Sequence, residues 1–251
     1  MLFYRSKGLL VAEIWFDEPT EGIRADIIRY HQSQASVPDA VSTPFYTPVI
    51  DLAPAEKDIW KALQNNTSYE IRRARERDGV RCGVWDGVAP GFLSRFRSVY
   101  DAFARQKALP LLPWQGLQRL ADARILDVSC ASCAHEGDLV FHAHILACGR
   151  ARLLYSASLF RNSPDRVFRA LVGRANRLLH WEDMIRFKSF GFEAYDFGGW
   201  YDGNTDEEKL KINAFKEGFG GRIEKDFNAE VLISFKAKIF ALVAQLVGRR
   251  R

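Results

Sequence analysis

Between Ile125 and Phe160 the chain reads as three successive strands, Ile125 to Ala134, Leu139 to Cys148 and Arg152 to Phe160, parted only by the turn signals Glu136-Gly137-Asp138 and Gly149. Breaks this short force an antiparallel meander, because a crossover to a parallel neighbour needs a dozen or more residues. A sheet of this kind must be covered on at least one face. Ser163-Pro164-Asp165 then reads as a helix start, with Ser as cap and Pro at the first helical position, and the helix is expected to run to Phe190 before Gly191.

The flanking segments extend this pattern. Leu9 to Phe16 reads as a strand, and Ser33 to Pro54, with Pro38, Pro44, Pro48 and Pro54, as an extended crossing segment with a boundary near residue 50. From Ala55, Ile59, Trp60 and Leu63 recur at helical spacing, and the helix continues through Ser68 to Arg77 and stops at Asp78-Gly79. Val80 to Trp85 alternates as a strand, Asp86-Gly87 turns, and Phe92, Phe96, Val99, Tyr100 and Phe103 form a helical stripe. A second helix, Trp114 to Ala123, follows Pro113. After Gly191 come a strand (Glu193 to Phe197), a helix from Thr205-Asp206-Glu207-Glu208 to Gly218–Gly221, and a last strand, Ile223 to Ile233. The expectation is a mixed α/β (α+β) fold, a mostly antiparallel mixed sheet flanked by helices. Residues 1–50 form an N-terminal piece, 51–235 the main domain and 236–251 a basic amphipathic helix.

Composition narrows the setting. Lys and Arg number 36 against 31 Asp and Glu, a net +5, which suits anionic partners such as tRNA, nucleotides, acidic carrier proteins or anionic lipid, or else a plain solvated surface. Four cysteines, Cys82, Cys130, Cys133 and Cys148, are too few for a disulfide scaffold and fit a reducing cytosol. Cys130 and Cys133 make a CxxC with no second half, and residues three apart on a strand face opposite sides, so no metal is expected. The N-terminus, with Glu13 interrupting Leu9 to Ala12, lacks a signal peptide's apolar core, and no run is long enough to span a bilayer. The tail from Ser234 sets Phe235, Ile239, Phe240, Leu242, Val243, Leu246 and Val247 among Lys236, Lys238 and Arg249-Arg250-Arg251. Such a helix either lies on anionic lipid at the inner membrane face or packs on the domain.

Three ordered elements carry a family resemblance. Tyr195-Asp196-Phe197-Gly198-Gly199 is followed by Phe215-Lys216-Glu217-Gly218-Phe219-Gly220-Gly221, and upstream stand Tyr69 to Val80, with Ile71-Arg72-Arg73-Ala74, and the helix end His180-Trp181-Glu182-Asp183-Met184-Ile185. Together, over roughly residues 50 to 235, they resemble the FemAB-like branch of the GNAT acyltransferases. The resemblance implies a GNAT-like fold and transfer of an aminoacyl or acyl group onto an amine of a cell-wall precursor or related glycan. No tightly bound cofactor is implied; the co-substrate is an aminoacyl-tRNA, an acyl-CoA or an acyl carrier protein. Peptidoglycan-directed members carry two such units, whereas this chain shows one and a short N-terminal piece. The Q/R-x-x-G-x-G/A loop of acetyl-CoA enzymes is also missing, the corresponding stretch reading Ser158-Leu159-Phe160-Arg161-Asn162-Ser163.

Acyl transfer to an amine needs a group for the tetrahedral oxyanion and a route for the amine's proton. Lys216 is the oxyanion candidate, in the position the family gives to a lysine near the reacting ester; its other reading is a cation complementing a helix C-terminus. Asp196, beside two glycines, is expected to orient the amine or take its proton, or else to bond local amides in a turn. Trp200, Tyr201, Tyr195 and Phe215 are candidate walls of the substrate pocket. Arg72 and Arg73, with Arg75, Arg77 and the adjacent Tyr69, make a basic ridge suited to phosphate unless Glu70, Glu76 and Asp78 neutralise it. His142 and His144, two apart on a strand, share a face and read as a polar surface or substrate-facing pair, a base or a metal pair. A non-catalytic module holding a nucleotide sugar or RNA remains the reading from another class.

Overall fold

The computed structural model describes every residue except 19, 21, 86, 88–89, 160–164 and 249–251. Asp86 of the expected turn, the Ser163-Pro164 helix start, the Phe160–Ser163 stretch and Arg249–Arg251 therefore lie outside the described residues. The elements run β1 (Leu2–Ser6), β2 (Leu9–Trp15), β3 (Ile27–Ser33), β4 (Thr43–Asp51), α1 (Glu56–Ala62), α2 (Asn65–Glu76), β5 (Arg81–Val84), α3 (Pro90–Gln106), α4 (Trp114–Asp122), β6 (Leu126–Cys133), β7 (Gly137–Ala147), β8 (Arg150–Ser158), α5 (Arg166–Ser189), β9 (Ala194–Asp196), α6 (Glu207–Glu217), β10 (Arg222–Leu232) and α7 (Phe235–Gly248). The expected mixed α/β class holds, and from β5 onward the element order is the one the sequence predicts.

Two compact units divide the chain, Pro48–Arg222 and a smaller one made of Met1–Thr47 with Ile223–Arg251. In the larger, the strand order is β4-β9-β8-β7-β6-β5. The meander is antiparallel throughout, β5 and β4 add antiparallel at the two ends, and β8 with β9 is the parallel pair. That parallel pairing spans only Arg150↔Ala194, Ala151↔Tyr195 and Arg152↔Asp196, while β8 runs on to Ser158. The two strands therefore part at Leu153. In the smaller unit the order is β1-β2-β3-β10, with β2 and β3 parallel and β10 antiparallel to β3. The sequence reading placed this last strand in the main domain; pairing of Ala229 with Tyr30 and Val231 with Ile28 puts it with the N-terminal strands.

Three local differences have simple causes. Asp165, expected within the long helix, caps it instead: its carboxylate accepts from Val167 N at 2.9 Å and Phe168 N at 3.3 Å, and the helix runs from Arg166. The helix expected from Ala55 to Arg77 breaks at Leu63 and Gln64, whose backbone is extended, into α1 and α2. The proline-rich crossing holds a strand, β4: Pro48 has no N–H to give, but its carbonyl accepts Phe197 N at 3.1 Å, so the ladder loses nothing there.

The core of the larger unit is the seam between the sheet and helices α2 and α5, where Leu178, Leu179, Trp181, Met184 and Phe187 of α5 meet Ile71 and Ala74 of α2 and Val140, Ala151 and Tyr195 of the strands. Fully burying each such large side chain stabilises by about 1.5–3 kcal/mol, enough for this seam to fix α5 against the sheet. All four cysteines are free thiols. No helix among the described residues is long and apolar enough to cross a membrane.

Candidate active site

A cavity of about 460 Å³ opens where β8 and β9 part, lined by Leu153, Ser156 and Ser158 of β8 and by Phe197 just past β9. Two helices close it with regular stripes. From α5 come Val172, Gly173, Asn176, Arg177 and His180, and from α6 Glu208, Lys211, Ile212, Phe215 and Lys216, each set spaced three or four apart so that one helical face looks inward. Phe103 and Lys107 of α3 complete the wall. The interior is apolar on its sides and polar at its floor, and Lys107, Arg177, Lys211 and Lys216 give it a positive field against the one carboxylate of Glu208.

Lys216 is 8% exposed, and its Nζ donates to the carbonyl oxygens of both Gly198 and Gly199. An ammonium has three donors, so one remains for the cavity. Burial pushes its pKa down to about 8, against the pull of Asp196 and helped by Arg152. The backbone it grips can exist only with glycine: Gly198 has φ +63°, and a Cβ there would stand 2.7 Å from the Leu153 carbonyl oxygen.

Asp196 does not reach the cavity. It is fully buried, accepts Arg150 Nε at 2.9 Å and Gly198 N at 2.7 Å, and so bonds in the way of a turn carboxylate. His142 and His144 are likewise sealed, each with no exposed surface, so they form neither a surface pair nor a directly substrate-facing one. They belong to a buried network. His142 Nδ1 meets Asp183 Oδ2 at 2.9 Å and its Nε2 meets the Asn176 side-chain amide at 2.8 Å; His144 Nε2 meets the Tyr195 hydroxyl at 3.1 Å, and that hydroxyl meets His180 Nδ1 at 2.7 Å. Tyr195 is therefore a link in this network and not a cavity wall.

Asp183 anchors the network. Burial opposes its ionisation, but His144, His142 and Arg186 hold its carboxyl down at about 2, and Arg186 in turn forks onto Asp127 with two bonds of 2.7 Å. Burial depresses His144 to about 3 and Tyr195 rises well above its usual value, so both stay neutral. Ligand atoms of His142, His144 and Asp183 lie within 4.8 Å of one another, a spacing compatible with a cation. Hydrogen bonds already engage both nitrogens of His142 and Nε2 of His144, and a guanidinium and Ser129 Oγ, at 3.0 Å each, share the same carboxylate, so we read the group as a hydrogen-bonded network.

Of the other candidates, Phe215 lines the cavity, with the Arg177 guanidinium 4.8 Å above its ring. Trp200 and Tyr201 line a neighbouring hollow with Gly199, Lys209, Asn213 and Ile212, the last of which also lines the cavity. The ridge on α2 is largely neutralised: Arg73 pairs with Asp78 at 3.7 Å and Arg75 with Glu182 at 2.7 Å, while Arg72 and the half-exposed Tyr69 stand outside the cavity. Sequence reasoning missed Asn176, Arg177 and His180. Their one signal is polar side chains at helical spacing within an otherwise apolar stripe of α5.

No protein-family model matches the sequence, and no curated protein matches it. Solved structures do match. FemX superposes with a TM-score of 0.61 at 13% identity, over 82% of this chain and 72% of that one. The C-terminal domain of a putative lysylphosphatidylglycerol synthetase from Agrobacterium fabrum matches with a TM-score of 0.53 at 12% identity, over 88% and 72%. L-PGS from Bacillus licheniformis gives 0.53 at 14% identity, over 88% and 73%. The parted β8–β9 pair, the α5 and α6 walls and the strands around them thus belong to a chain that shares the fold of FemX and of these two structures.

Proposed function

We propose that the chain is an N-acyltransferase that moves an aminoacyl or acyl group from an activated donor, an aminoacyl-tRNA in the first instance, to an amine on a cell-envelope or polysaccharide precursor on the cytoplasmic side. The observation that carries this reading is Lys216, a buried cation with one donor to spare at the floor of the cavity where β8 and β9 part, in a fold shared with FemX and with lysylphosphatidylglycerol synthetase. In the reaction the amine nitrogen attacks the acyl carbon, the carbonyl electrons move to oxygen, and the ester C–O bond then breaks as the leaving hydroxyl takes up the proton the amine gives up. Lys216 serves the oxyanion, in a site where a fixed charge acts more strongly than in water. Lys107, Arg177 and Lys211 suit the phosphates of the donor or of a nucleotide- or lipid-linked acceptor.

Purified protein incubated with bulk charged tRNA, acetyl-CoA or a longer acyl-CoA, followed by thermal shift and by release of the acyl group, tests the proposal. Stabilisation and deacylation with charged tRNA is expected. Response to CoA esters alone moves the donor to CoA, and no response to any donor, with an unchanged Lys216→Ala phenotype, means a binding module.

The reading extends to the membrane through α7. Ala237 of this helix is buried with Leu9, Val11 and Ile27, while Phe235, Ile239, Phe240, Leu242 and Val243 stand exposed beside Lys238. An apolar face with basic neighbours suits an interface of anionic lipid. Co-sedimentation with phosphatidylglycerol vesicles, but not phosphatidylcholine vesicles, is expected, and loss of it in Phe240→Asp; equal pelleting of the two vesicle types refutes this part.

A further inference from the structure

The buried network ends at a ring that looks into the cavity. His180 lines it, and among the described residues its one hydrogen bond joins Nδ1 and the Tyr195 hydroxyl, which leaves Nε2 for whatever the cavity holds. What Nε2 offers depends on where the protons lie along His180, Tyr195 and His144. A phenol has one proton, so it donates to one imidazole and accepts from the other.

Two observations decide the direction. The contact to His180 is 2.7 Å and that to His144 3.1 Å, the lengths expected where the hydroxyl donates to the first and accepts an N–H from the second. His144 Nδ1 is buried with no hydrogen-bond partner, and a buried lone pair is left unpaired far more readily than a buried N–H. The proton of His144 therefore sits on Nε2, which also lies 3.9 Å from the Asp183 carboxylate and is drawn by it. Tyr195 accepts from that N–H and gives its own proton to His180 Nδ1. His180, a neutral ring, then carries its proton on Nε2.

We infer that His180 is a further catalytic residue, a neutral Nε2–H donor to the carbonyl oxygen of the acyl group, fixed in that tautomer by Tyr195 and His144. This rests on the acyltransferase reading. As the amine nitrogen bonds to the acyl carbon and the carbonyl pair moves to oxygen, the Nε2–H and the spare N–H of Lys216 both meet the oxyanion; when the ester C–O bond breaks the pair returns, and His180 has gained and lost no proton. A neutral imidazole suits this task because it polarises a carbonyl without surrendering a proton. The ring stays neutral because it is buried among like charges and rings: Arg177 on its own helix, His142 and His144 from β7, Tyr195 from β9, Lys216 from α6 and, among the described residues, no carboxylate hydrogen-bonded to it.

Imidazole-¹⁵N NMR on histidine-labelled protein, wild type and Tyr195→Phe, with His180→Gln to assign the signal, tests the assignment without any substrate. Expected in the wild type is a proton on Nε2 of both His180 and His144, unchanged between about pH 6 and 9. A proton on His180 Nδ1, or an imidazolium, overturns the inference. With bulk charged tRNA as donor, Tyr195→Phe, which keeps the ring and removes the hydroxyl, is expected to lower kcat by about tenfold to a hundredfold with KM within about twofold. Wild-type kcat in a folded Tyr195→Phe overturns the catalytic role. Failure of the wild-type protein to turn over any acyl donor, with the tautomers as expected, sinks the acyltransferase reading and leaves the donor assignment standing.

Discussion

Replacing Lys216 by Met keeps the length of the side chain and removes its charge, and the consequence for stability is calculable. Burial takes the lysine from 10.5 to about 8 on folding. Below pH 8 both folded and unfolded chains carry the proton, and the folded state bears the full cost of the buried ammonium, about 3 kcal/mol from two and a half pH units. Between 8 and 10.5 the unfolded chain binds more protons than the folded one, so stability rises with pH and the cost fades. From pH 7 to pH 10 the wild type should thus gain about 2–3 kcal/mol relative to Lys216→Met, equivalent for a chain of this size to about 4–12 °C in Tm. Urea unfolding of both proteins at the two pH values isolates the effect, because all other lysines and tyrosines titrate in both. A difference that stays flat across that range refutes the placement of this ammonium in a desolvated pocket, and with it the oxyanion role.

Other perturbations probe the frame around the site. Asp196→Asn removes the carboxylate from the buried Arg150 guanidinium and should cost about 3–5 kcal/mol, read by denaturant midpoint; a loss of activity with unchanged stability would restore a chemical role to this residue. Gly221→Ala must place a methyl 2.5 Å from the Val49 carbonyl oxygen at φ +89°, for a loss of about 2–5 kcal/mol by the same measurement, and a neutral result would show that the backbone there yields. Arg177→Ala should raise KM for a polyanionic donor and flatten the dependence of its binding on salt, while kcat changes little; an unchanged salt slope means that the guanidinium serves only Glu70 and Phe215.

The parts of this architecture that the sequence displays are those whose pattern is local. Alternation and turn residues outline β6, β7 and β8, and the helical stripe of α5 and the Phe215-Lys216 pair with its glycines mark the walls and floor of the cavity. β4 is hidden because Pro44 and Pro48 argue against a strand, and only the three-dimensional partner reveals that Pro48 contributes a carbonyl where a carbonyl is wanted. The histidine network is illegible for a different reason: residues 142, 144, 180 and 195 sit on β7, α5 and β9, and no spacing along the chain announces that one hydroxyl will lie between two imidazoles. Asp196 and the His142–His144 pair look reactive from their types and neighbours, and only the fold shows that they are buried away from the cavity lining.

The grip of Lys216 on the Gly198 and Gly199 carbonyls also bears on a hazard that any such site faces. A lysine whose pKa has fallen to about 8 is, chemically, an amine ready to be acylated, and under the proposed function an activated acyl donor would stand beside it. Holding two of its N–H bonds against fixed carbonyl oxygens favours the ammonium, which has no lone pair, and turns the nitrogen's remaining bond toward the cavity as hydrogen. Under the proposed function the glycine clamp would keep the chain from consuming its own donor, and loosening it should appear as a lysine acylated in place of the acceptor.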